Sequence, residues 1–204
     1  MKRKMINNIE IIKTLLEFNS EDEFYHLQVL KRKKENPELG SNSYVVKTYY
    51  VGSIEYLESK MPEIINLCEF HNARAYINLN RRSYEQLGLQ VMKKIIDQMS
   101  NQDFKSIKNA YDSVCGSFIK ESNKKWIIDL DDVAPEEVSP LMLAHIDYHC
   151  EPIATSLDEG KCLAIIPTKN GCHLITKPFN SKTFADKYPV IDIQKNNPTL
   201  LYMS

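Results

Sequence analysis

The stretch 161-KCLAIIPTKNGCHLITKPF-179 constrains the fold of this chain more than any other. It holds two apolar runs of strand length, 161-KCLAIIPT-168 and 172-CHLITKPF-179, with only Lys169, Asn170 and Gly171 between them. A connection this short predicts a tight hairpin, and Asn-Gly supplies the positive φ such a turn favours at little cost. Whatever else the chain does, its last third contains an antiparallel β unit.

Strand and helix patterns alternate ahead of that hairpin. Residues 8–18 carry an apolar stripe at helical spacing (9, 11, 12, 15, 16 and 18). The runs 24-FYHLQVLKRK-33, 44-YVVKTYYV-51 and 74-RAYINLN-80 read as strands, and 34-KENPELGSNS-43 as a loop. Ser53 with Glu55 and Glu58 opens a helix through Cys68, with Pro62 as a kink or a later start. Further helices are expected from Ser83 or Tyr84 to Met99 and over residues 104–119. Then come a strand, 125-KWIIDLD-131, and a helix signalled by Pro135 or begun later at Pro140. Short strands at 189-PVIDI-193 and 199-TLLYM-203 close the chain. The pattern predicts an α/β (α+β) fold with a central mixed sheet flanked by helices. It divides into a possible small N-terminal extension (1–50), an αβ unit (51–124) and a second half (125–204), all in one domain of 204 residues.

Composition narrows the function. Hydrophobic residues at 43% and charged residues at 26% suit a packed core, not a disordered chain. A net charge of −1 indicates no bulk electrostatic grip on nucleic acid or an anionic membrane. The apolar runs fall far short of the roughly 20 residues that span a bilayer. The basic start, Met1 to Lys4, is followed by Asn7, Asn8 and Glu10 instead of an apolar signal segment, so a cytoplasmic location is expected. Five cysteines without paired spacing read as free or buried thiols. The phosphate-loop, dinucleotide-fingerprint and nucleophile-elbow motifs are missing.

Two features carry chemistry. Asp129 and Asp131 stand two apart at the end of an apolar strand, so their carboxylates share a face, with Asp132 beside them. Like charges held together are compensated by a divalent cation, and Mg²⁺ or Mn²⁺ takes carboxylate oxygens together with substrate phosphates. The alternative is a solvated acidic loop ahead of Pro135. The second feature is the turn itself: Gly171 lets backbone N–H groups approach an anion, with Thr168, Lys169 and His173 as further donors. Its alternative is a plain hairpin.

Together these motifs, 127-IIDLD-131, 171-GCH-173 and 191-ID-192, resemble the signature of the archaeo-eukaryotic primase-polymerases of phage and mobile-element type. The resemblance implies an RRM-like catalytic core behind an N-terminal αβ unit. It implies transfer of nucleoside triphosphates onto a nucleic-acid strand, on a single-stranded DNA or RNA template, with a helicase or another replication protein as a possible partner and no membrane. By the resemblance, Asp129, Asp131 and Asp192 hold Mg²⁺ or Mn²⁺, His173 meets the incoming triphosphate, and Arg74, Arg81 and Arg82 face phosphate or template. The alternative function is a catalytically inactive nucleic-acid-binding accessory domain of replication. His145 and His149, four apart, read as structural, and 31-KRKK-34 as a solvated strand end.

Overall fold

The computed structural model describes residues 5–117 and 124–204. The basic start at Met1 to Lys4 and the last two residues of the helix expected over 104–119 lie outside them. β1 (Ile6–Asn7) and α1 (Ile9–Lys13) lead into a long antiparallel pair, β2 (Glu23–Arg32) and β3 (Ser43–Val51). α2 (Ile54–His71), β4 (Arg74–Ile77), β5 (Arg82–Ser83), α3 (Tyr84–Ser100) and α4 (Ala110–Ser117) follow. The rest comprises β6 (Trp126–Asp131), α5 (Pro140–Tyr148), β7 (Cys162–Pro167), β8 (Gly171–Thr176), α6 (Ser181–Lys187), β9 (Asp192–Gln194) and β10 (Thr199–Met203).

The class is mixed α/β, but the expected central mixed sheet is replaced by two antiparallel sheets. The first runs β1-β10-β4-β2-β3, with β5 paired to the start of β2; the second runs β7-β8-β6-β9. The first fifty residues are not an appendage, because β2 lies between β3 and β4. Nor do the halves separate cleanly: β10, from the C-terminal end, sits between β1 and β4.

Local rules explain the helices. Ser53 and Ser83 each sit in extended backbone and accept an N–H from three residues on (Tyr56 and Gln86), closing an N-cap on α2 and α3. α2 runs through Pro62 and buries Leu57, Met61, Ile64 and Cys68, while Asn72 ends it in the left-handed region with φ 49°. A short 3-10 turn holds Pro135, and Pro140 opens α5, where its missing N–H costs nothing. α6, unforeseen in the sequence, is capped by Asn180, whose Oδ1 accepts from the amides of Lys182 and Thr183.

Strand alternation then sets the layers. Ile127 and Ile175 join the core of the first sheet with Tyr25, Leu27, Ile64 and Leu201. The alternate residues Ile128, Leu130 and Leu174 pack with Met142, Ile146 and Phe184 of α5 and α6. Side chains this fully buried are each worth roughly 1.5–3 kcal/mol. The second sheet is thus sandwiched between the first sheet and α5 with α6. Asp129 and His173 share the faces of Ile127 and Ile175, so both point toward the cleft between the sheets. All five cysteines are free thiols, and among the described residues no helix is long and apolar enough to cross a membrane.

Candidate active site in the cleft between the sheets

β6 is the middle of the site because it has a partner on each side. Asp129 pairs directly with His173 of β8 and with Asp192 of β9. Three residues from three separate segments of the chain therefore meet at one level of the sheet. The Nε2 of His173 lies 3.5 Å from Asp129 Oδ1. On its other side, Nδ1 lies 2.9 Å from the hydroxyl of Thr199, a fully buried residue of β10. With Nε2–H turned to the carboxylate, Nδ1 is left to accept the Thr199 hydroxyl hydrogen. The histidine is thus held from both sheets. Its bond to Asp129, with help from Gln194 and the charge of Arg32, keeps the Asp129 carboxyl below its ordinary range despite burial.

Gln194 is a member of the site that the sequence reading missed. Its amide Nε2 donates to Asp129 Oδ2 at 3.2 Å and to Asp192 Oδ2 at 3.1 Å. It sits two residues beyond Asp192 on the same strand, so period-two spacing was its available signal. An amide hydrogen pair between two carboxylates takes the place a cation would occupy, and the donors around it are hard oxygens. That donor chemistry fits Mg²⁺ or Mn²⁺. Asp131 stands one pleat further along β6, exposed and opposite Gly171. Consequently, among the described residues, no three His, Cys, Asp or Glu side chains gather as a metal group.

The hairpin differs from its expected form. The turn residues are Lys169 and Asn170, closed by Thr168 N–H donating to Gly171 O at 2.8 Å. Gly171 is the first residue of β8, and among the described residues no glycine has a positive φ. The glycine is demanded instead by close approach: a Cβ there would lie 2.0 Å from the Leu130 carbonyl oxygen. Asp132 takes up the bend, with φ 58° and its N–H donating to Asn170 O at 2.7 Å. Lys169 reaches across the cleft to Glu35 at 2.7 Å. Glu35 also holds Arg74, and although burial would raise its pKa, these two cations keep the carboxyl below its ordinary range. Arg32 and Arg74 both donate to the Tyr76 hydroxyl, at 3.2 and 3.3 Å.

Arg81 and Arg82, expected to face phosphate or template, are turned inward. Arg81 pairs with Glu23 at 3.1 Å, in the body of the protein. Arg82 is fully buried and donates to the backbone carbonyls of Cys115 and Asn80. Burial pushes its guanidinium below the ordinary value. The physical reason is position: β5 pairs with the first two residues of β2, where the sheet is covered by α3 and α4. Among the described residues, Arg32 is the cation whose charge acts on Asp129, while Arg74 is linked to Arg32 through Tyr76 and to Lys169 through Glu35. Of these, Arg32 was signalled only as part of a solvated basic run.

No protein-family model, curated protein or solved structure matches the chain.

A cavity of about 320 Å³ opens at the end of β6 and β9. Asp129, Asp131, Glu137 and Asp192 line it together with Val133, Val138, Met142, Val190 and Ile191. Glu137 is already engaged, accepting the Ala134 N–H at 3.2 Å. His145 and His149 are elsewhere, stacked on α5 at 5.2 Å, with His145 packed against Phe184 and Tyr188 of the α6 end.

Proposed function

We propose that this chain is a metal-dependent nucleotidyltransferase of primase-polymerase type, acting on nucleoside triphosphates and a single-stranded DNA or RNA template. One observation carries the reading. The acidic strand, the small-x-His strand and the hydrophobic-Asp strand are hydrogen-bonded neighbours, and Asp129 is the common partner of His173 and Asp192. The resemblance rests on three motifs spread along the chain, and nothing in their sequence requires them to share a level of one sheet. The antiparallel second sheet, set behind an αβ layer, also supports an RRM-like core with an N-terminal αβ unit.

Asp129, Asp192 and, one pleat along, Asp131 would hold Mg²⁺ or Mn²⁺. The bound ions would supply charge compensation at the attacking and leaving oxygens. The protein's own part is positioning. His173, still fixed by Thr199 at Nδ1, would turn its Nε2–H from Asp129 to a phosphate oxygen, and Lys169 with Thr168 at the hairpin would extend the row of donors. Gln194, whose amide donates to both Asp129 and Asp192, would be free to offer it to the ligand if those carboxylates held an ion. Phosphoryl transfer asks little covalent chemistry of a protein, so such a site can act by electrostatics and orientation.

The test is a titration of the protein with Mn²⁺ and a labelled nucleoside triphosphate, beside the Asp129→Asn/Asp131→Asn double variant. Metal-dependent binding that is lost in the double variant is the expected result. Equal binding by both proteins would sink the assignment. A second reading, a nucleic-acid-binding accessory domain of replication without catalysis, is favoured by the exposed position of Asp131 away from Asp192. It requires strand binding that needs no divalent cation and survives Asp129→Asn.

A further inference from the structure

The two sides of β6 carry opposite chemistry. Toward the first sheet lie His173, Lys169, Arg32 and Arg74, with Glu35 as the acid that pairs with Lys169 and Arg74. At the end of β6 and β9 lies the cavity, walled by Val133, Val138, Met142, Val190 and Ile191. The ionisable residues among its lining are all carboxylic: Asp129, Asp131, Glu137 and Asp192. Beyond the reach of a cation held by Asp129 and Asp192, a polyphosphate placed there meets only like charge, which is repulsive over a few ångströms even at the effective dielectric of a protein surface. On the hairpin side the same polyphosphate meets donors and cations. An uncharged, partly apolar group has the reverse preference.

Resting on the nucleotidyltransferase reading, we infer that the cavity binds the nucleoside end of the nucleotide, base or sugar, while the phosphates run away from it across Asp129 toward His173 and Lys169. The volume agrees. About 320 Å³ lies at the small end of ligand pockets, which run from roughly 300 to 1,000 Å³, and suits a nucleoside without its triphosphate. Asp129 and Asp192 stand at the border, where the uncharged and charged parts of the ligand join. Met142 and Val190 are then specificity-determining residues. Met142 is a buried wall, and Val190, 94% exposed, forms the lip.

Half-ligands test this. Adenosine and tripolyphosphate are titrated separately by calorimetry without metal, and each is used to displace a fluorescent ATP analogue bound with Mn²⁺. The variants are Val190→Glu, which changes an exposed position and spares the fold, Met142→Gln, close in size, and Lys169→Ala. Adenosine binding should weaken about tenfold in Val190→Glu and Met142→Gln and stay within about twofold in Lys169→Ala. Tripolyphosphate should show the opposite pattern. If the analogue binds with Mn²⁺ and tripolyphosphate displaces it, but adenosine neither binds nor competes, the cavity inference is overturned and the nucleotide reading stands. If adenosine binds and is weakened by Val190→Glu, yet ATP shows no metal-dependent gain, the cavity is upheld and the transferase reading falls. If no probe binds, both fall.

Discussion

His26 and Asp129 are both ionisable groups held off their ordinary pKa, and they respond to acid in separate windows. Burial, with Arg82 nearby, pushes the His26 imidazole down to about 4 from 6.5, and among the described residues its buried Nε2 finds no hydrogen-bond partner. The folded chain keeps this ring neutral while the unfolded chain takes up its proton near pH 6.5. Stability from this residue is therefore complete above pH 6.5 and falls as pH drops toward 4, by on the order of 3 kcal/mol. Asp129 runs differently. Its folded pKa is depressed below the ordinary 3.8 by His173, so its contribution persists above that value and disappears only in stronger acid. Urea unfolding at pH 7, 5.5 and 4.5 should show the loss in the native protein and a flatter profile in His26→Gln. An unchanged slope in the variant would assign the acid sensitivity to another group.

Among the elements, the β6–β8 pair and the start of α3 make the clearest demands on single residues. Gly171→Ala places a methyl against the Leu130 carbonyl, and backbone on both sides must give way. Overpacking of this kind costs about 1–3 kcal/mol and sometimes more. We expect a lower urea midpoint together with weaker nucleotide binding, because moving β8 also moves His173 from Asp129. A variant that keeps its midpoint and loses only binding would instead make Gly171 an anion-approach glycine. At α3, Ser83 accepts the Gln86 N–H and donates to Asp22, whose other oxygen takes the Glu85 N–H at 2.9 Å. Ser83→Ala removes the cap and should cost about 1 kcal/mol, a fall of roughly 2–4 °C in Tm by calorimetry for a chain of this size. Ser83 was legible beforehand as a helix start, whereas its link to Asp22 was not, because sixty-one residues separate them.

The whole molecule is closed by its last strand. β10 lies between β1 and β4, places Leu201 and Tyr202 in the main core, and supplies Thr199 to His173. Removing residues 199–204 should therefore abolish the cooperative unfolding transition of the entire chain, and circular dichroism during a thermal ramp would read it. A truncated protein that melts normally would show the first sheet to be self-sufficient. Apolar periodicity by itself determined that this chain is mixed α/β. It marked the strands 24–33, 44–51, 125–131 and the hairpin, because alternation and turn chemistry are local properties. The acidic strand end and the glycine–histidine hairpin singled out Asp129 and His173 as residues whose chemistry wants a site, and the family resemblance added Asp192. Only the tertiary structure decided that the sheets are two and antiparallel, since strand order follows from long-range pairing that no local pattern encodes. Only the tertiary structure turned Arg81 and Arg82 inward, added Gln194, Thr199 and Arg32 to the site, and explained Gly171 by a neighbouring carbonyl. Charge and hydrogen-bonding capacity are written in each residue, but which groups face one another is settled by register and packing across distant segments.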